Sequence, residues 1–187
     1  MHGPPHAAYL QRAAYTDVLG QRRLRCGETF DVLRVPEPAG RWALRRLIGY
    51  GQPALLPGPV ALERPEADAA QVGGGIGRHE GTVRGVDGGA GEACLFFVAP
   101  GAAEDLPELL DWLDWGGIDL GLRAYGEGES VREPAVWLNE PSAAAPEVVA
   151  LLATIAECCS RRLLRSSVPS ARRTADLAAD AVLGEAT

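Results

Sequence analysis

The amino-acid sequence predicts an α+β domain: a small mixed or antiparallel sheet with helices packed on it, and a long C-terminal helix as a late cover. Two short apolar runs, TFDVLRV at 29–35 and ACLFFV at 93–98, are closed by proline as buried strands often are. Other segments repeat their apolar residues at the three-to-four spacing of helices. The chain has 187 residues, the size of one ordinary domain, and can bury a core without disulfide or metal staples. That domain is expected over residues 5–165, with 166–187 as a loosely held tail.

The first helix is predicted over 6–19, where Ala7, Leu10, Ala14 and Val18 recur on one face, Pro4 and Pro5 precede and Gly20 stops the pattern. Residues 29–35 then form a strand that Pro36 ends. Helical periodicity resumes over 38–50 through Trp42, Leu44, Leu47 and Ile48. PVAL at 59–62 is apolar enough for a strand. The stretch 63–92 carries nine glycines and no apolar period, which predicts a flexible loop.

Residues 93–98 form the next strand. Residues 104–115 place Leu106, Leu109, Leu110 and Leu113 on one face, with Glu104 and Asp105 in the first turn and Gly116-Gly117 as the stop. Alternation over 118–125, the GEGE turn and the run 130–138 predict a hairpin. Residues 144–164 carry the longest helical pattern, opened by Pro146-Glu147 and closed by arginines that suit a helix C-terminus. A short helix over 174–183 would lie in the tail.

Composition narrows the function classes. The formal net charge of -7 argues against broad non-specific binding of DNA or RNA, which draws on basic side chains to neutralise phosphates. All eighteen basic residues are arginine, a bias that suits a GC-rich coding genome. No stretch approaches the roughly 20 apolar residues of a membrane span, and the N-terminus lacks a basic segment followed by an apolar run. A cytoplasmic protein without membrane contact is expected. Cys26, Cys94, Cys158 and Cys159 lack zinc-site spacing and read as reduced, buried thiols.

Local motifs give no active site. The run Gly73 to Gly77 lacks the lysine and hydroxyl of a phosphate loop, and His79 in the same segment has no positioned partner. Asp105, Glu108, Asp111 and Asp114 at three-residue steps suit the solvated side of an amphipathic helix rather than a metal site. Arg22, Arg23 and Arg25, with Arg41, Arg45 and Arg46, would make one arginine-rich surface if the fold brought them together.

In order, TFDVLRVPEPAG, PVAL, CLFFVAPG, an acidic leucine-rich helix ending LDWGGIDL, and RAYGEGESVREPAVW resemble the short actinobacterial prim-pol-like proteins. These are related to the N-terminal domain of bifunctional DNA primase/polymerases, in the archaeo-eukaryotic primase group. The resemblance covers about residues 9–138. It implies paired aspartates on one strand and a histidine on a neighbouring strand, holding divalent metals that activate a 3′-hydroxyl and clamp a triphosphate.

Aligned on that pattern, Arg34 and Pro36 stand where the two aspartates are implied, and Cys94 where the histidine is implied. Glu133-Pro134 replaces the proline pair implied for the nucleotide pocket. Regular strand alternation puts Asp31 on the face opposite Val32 and Arg34. The resemblance therefore implies a catalytically degenerate prim-pol-like domain that serves as a binding or regulatory module for a protein partner or a nucleotide, with no cofactor. Two alternatives stay open. One is a nucleotidyltransferase with Mg or Mn held by Asp31, Glu127 and Glu129 as the candidate pocket. The other is a self-associating protein that forms a homodimer along the 144–164 helix.

Overall fold

The computed structural model describes residues 8–50, 57–63, 92–140 and 145–167. The elements run α1 (Ala8–Ala13), β1 (Ala14–Thr16), β2 (Arg22–Arg25), β3 (Asp31–Pro36), α2 (Ala39–Gly49), β4 (Val60–Glu63) and β5 (Ala93–Val98). After these come α3 (Ala102–Trp112), β6 (Arg123–Tyr125), β7 (Ser130–Arg132), β8 (Val136–Asn139) and α4 (Val148–Ser167). The fold is α+β, with two antiparallel sheets in the orders β6-β3-β5-β4-β8 and β1-β2-β7.

The five-stranded sheet is covered on both faces, which is why β5 is buried at all six positions and reads as an unbroken apolar run. Leu33, Val35, Val60, Cys94, Phe96 and Val98 face a layer made by α2, α3 and α4. Val32, Ala61, Leu95 and Phe97 face the small sheet and α1, against Leu24, Val131, Tyr9 and Leu10. Phe97 anchors this second layer, its ring 5.1 Å from Phe30 and 5.3 Å from Trp137.

The helix α4 buries its apolar stripe inside the chain: Val148, Leu151, Leu152, Ile155, Ala156, Cys158 and Cys159 lie in the helical layer, chiefly against α2. The stripe that motivated a dimer seam on this helix is thus already covered. Among the described residues no helix is long and apolar enough to cross a membrane.

Two elements differ from the sequence reading. The first helix stops at Ala13, and Ala14–Thr16 pairs antiparallel with Arg22–Arg25. Val18 and Leu19 are fully or largely exposed, so the apolar period there marked no buried face. The Asp17 carboxylate instead accepts hydrogen bonds from the Leu19 and Gln21 N–H groups at 2.9 Å, building the hairpin turn. The second difference is the hairpin predicted at 118–138. β6 pairs with β3 while β7 pairs with β2, so the chain changes sheets at the Gly126–Glu129 turn. Residues 118–122 form turns and irregular chain.

The loop 64–91, with His79 and the glycine run, and the tail 168–187, with the 174–183 helix, lie outside the described residues. Glu63, read as the first loop residue, is the last residue of β4.

Candidate functional site

The resemblance directs attention to positions 34, 36 and 94. Arg34 and Pro36 lie on the face of the five-stranded sheet that carries Val32 and turns toward the small sheet. Cys94 pairs in register with Val35 and so faces the helices. Because neighbouring residues of a regular strand point to opposite faces, the three positions do not converge on one site.

Arg34 is held where it stands. Its guanidinium reaches across β5 to Glu63 on β4, with Nε 2.5 Å from Oε2, and the two side chains are 15% and 33% exposed. Arg123 stands opposite Arg34 on β6 and lies over the Tyr125 ring, 4.6 Å from its centroid. Desolvation is the main influence on the Tyr125 hydroxyl and raises its pKa, against the opposing pull of Arg123. A guanidinium has no lone pair to offer a cation and proline has no side-chain donor, so residues 34 and 36 do not fit a divalent metal.

Cys94 is a structural thiol. Its Sγ donates to Glu37 Oε1 at 3.4 Å, and Glu37 pairs with Arg41 at 2.7 Å. Burial first, and then the Glu37 charge, push the thiol up to about 12, so it is neutral at ordinary pH. Gly40 of α2 packs on it so closely that a β-carbon at position 40 would lie 2.5 Å from Cys94 Cβ.

Asp31 and Glu129 lie in one neighbourhood, since a β-carbon on Gly126, whose N–H Glu129 accepts, would lie 3.6 Å from Asp31 Oδ2. Asp31 is 1% exposed and turns to the helical layer, where Oδ2 accepts the Ala103 N–H of the first turn of α3 at 2.9 Å. Its other oxygen, Oδ1, is buried without a hydrogen-bond partner. Glu127 and Glu129 are exposed on the turn between β6 and β7. Glu129 accepts the Gly126 N–H at 3.1 Å and approaches Arg123 at 3.5 Å. Among the described residues, no three His, Cys, Asp or Glu side chains are grouped as metal ligands would be.

The acidic residues Asp105, Glu108, Asp111 and Asp114 are exposed along α3 and the turn after it. The two arginine clusters lie on opposite sides of the large sheet. Arg22, Arg23 and Arg25 belong to β2 in the small sheet, whereas Arg41, Arg45 and Arg46 belong to α2 in the helical layer. They form no single surface. Sequence reasoning missed Glu63 as the partner of Arg34, because the two are 29 residues apart and meet only through the β3-β5-β4 order.

Comparison with protein-family models, with curated proteins and with solved structures gives no match.

Proposed function

We propose that the chain is a catalytically degenerate prim-pol-like domain that serves as a non-catalytic binding or regulatory module. The observation that supports this reading is the Arg34–Glu63 ion pair on the sheet face where the resemblance implies a metal-binding aspartate. A polymerase site of that class gathers carboxylates to hold two cations. Here a half-buried guanidinium takes the place of one carboxylate, and the nearby Glu63 is engaged in neutralising it. Repulsion between a guanidinium and a metal-bound triphosphate's cations would oppose assembly of the reactive complex.

The test is primer synthesis and primer extension by the full chain with ribonucleotides or deoxyribonucleotides and magnesium or manganese. No metal-dependent product is expected. Product that disappears in Asp31→Asn, with the variant still folded at the assay temperature, would overturn the proposal in favour of catalysis through rearranged ligands.

A further inference from the structure

The C-terminal half of α4 runs beside α2 and leaves a groove of about 240 Å³, lined by Trp42 and Arg46 of α2 and by Cys158, Arg161 and Arg165 of α4. The groove is positively charged. Glu157 offsets part of that charge, accepting Arg46 at 2.6 Å and Arg161 at 2.7 Å, while Arg165 lies over the Trp42 ring at 5.0 Å. Apolar surface borders the arginines. Leu164, one helical turn from Arg161, is 67% exposed.

The described residues end beside this groove, at Ser167, two positions beyond Arg165. Pro169 is a helix stop, since proline lacks an N–H donor and disfavours helical backbone in the residue before it. Further on, the run TADLAADAVL at 174–183, where the sequence predicts a short helix, carries Asp176 and Asp180 and no basic residue. At helical spacing the two carboxylates form one row and Leu177 and Ala181 the row beside it, with Ala178 and Val182 next. Thr174 and Gly184 are residue types that start and stop such a helix. An isolated helix of this length is marginal in water, so its stability must come from packing its apolar face.

We infer that the segment 174–183 folds back into the α2–α4 groove of its own chain, with Asp176 and Asp180 toward the arginines and Leu177 toward Trp42. The groove and the segment match in both charge and apolar surface. Reach permits it: the connector 168–173 spans up to roughly 20 Å when extended. The stretch of α4 from Arg165 back to Cys158 is about 10 Å long, and a helix over 174–183 about 15 Å. Tethering also favours this occupant over a free partner, because a short linker holds the segment at an effective concentration in the millimolar range. The inference is independent of whether the domain is prim-pol-like.

The experiment is hydrogen–deuterium exchange of the full chain at two protein concentrations, read by mass spectrometry on peptides covering 174–183. Those amides are expected to exchange roughly tenfold or more below their unstructured rate, equally at both concentrations. Arg161→Glu with Arg165→Glu should return them to the unstructured rate, as should Asp176→Arg with Asp180→Arg. The four substitutions together should restore protection, because opposite charges face each other again. Leu177→Asp should also abolish it. Arg161 and Arg165 are exposed, so peptides from the first half of α4 should exchange alike in all variants. An unstructured rate in the unaltered chain, or protection indifferent to the charge reversals, would overturn the inference. Protection that appears only at the higher concentration, with the mass doubled by light scattering, would overturn it in favour of a second copy's segment in the groove. Primer synthesis in the assay above would overturn the functional proposal and leave this one standing.

Discussion

Replacing Gly40 by alanine should reverse the usual rule for glycine in a helix. Alanine ordinarily gains up to about 1 kcal/mol over glycine in a helix, because it loses less backbone entropy. At position 40 the added β-carbon would lie 2.5 Å from Cys94 Cβ, 2.7 Å from Cys94 Sγ and 3.2 Å from the Val35 carbonyl oxygen. Two β-carbons are fixed to their backbones and no rotamer separates them, so α2 must move off the sheet. Overpacking of this kind costs about 1–3 kcal/mol. We take the upper end, since Ala43, Leu44 and Leu47 are also lifted from the core. The net loss is then roughly 2 kcal/mol, a fall of about 1 M in the urea midpoint for a slope near 2 kcal/mol/M.

Gly49, at the other end of α2, supplies the control, because its added β-carbon meets nothing within 4 Å. Gly49→Ala should hold or raise the midpoint, with a gain of at most about 1 kcal/mol. In a Cys94→Ala background, Gly40→Ala should cost less, because the sulfur contact is gone while the β-carbon contact remains. A Gly40→Ala midpoint at or above that of the unaltered chain would refute the close approach of α2 to β5.

Further outcomes follow from the buried polar groups. Asp31→Ala should lower stability by about 1–2 kcal/mol in a urea melt, because the Ala103 N–H of α3 loses its acceptor, and Asp31→Asn should lower it less because an amide oxygen remains. The thiols of Cys26, Cys94 and Cys159 are each pushed by burial from 9.0 up to about 12. In native protein near pH 8 they should resist iodoacetamide, read by intact mass, and react once the chain is unfolded in urea. Since the folded values are the higher ones, the stability they contribute is complete below the unfolded value. It declines as pH rises from there toward about 12, by about 1.4 kcal/mol per thiol and pH unit. Urea melts near pH 8 and pH 10.5 measure this, and equal midpoints would refute it.

The α+β class and most elements were legible in the sequence because periodicity records burial. ACLFFV is apolar at every position since β5 is covered on both faces, and Leu106, Leu109 and Leu110 recur because one side of α3 meets the core. Periodicity records that a residue is buried, however, and not against what. Val18 fitted a helical stripe and stands in solvent, because the Asp17 turn carries the chain from β1 back into β2. Residues 123–125 and 130–132 looked like the arms of a hairpin, but backbone ladders are indifferent to sequence neighbours, and each strand found an edge in a different sheet.

The candidate sites were less legible for the same reason. That Arg34 and Pro36 lack metal-binding donors follows from the sequence alone, since it is a property of the side chains. The tertiary structure decided what they stand beside: Glu63 against Arg34 through strand order, and Cys94 on the opposite face through its pairing with Val35. Trp42, Arg46 and Arg165 were scattered letters in two segments. Only the packing of α4 against α2 places them around one groove, because a groove is a relation between elements that no local pattern encodes.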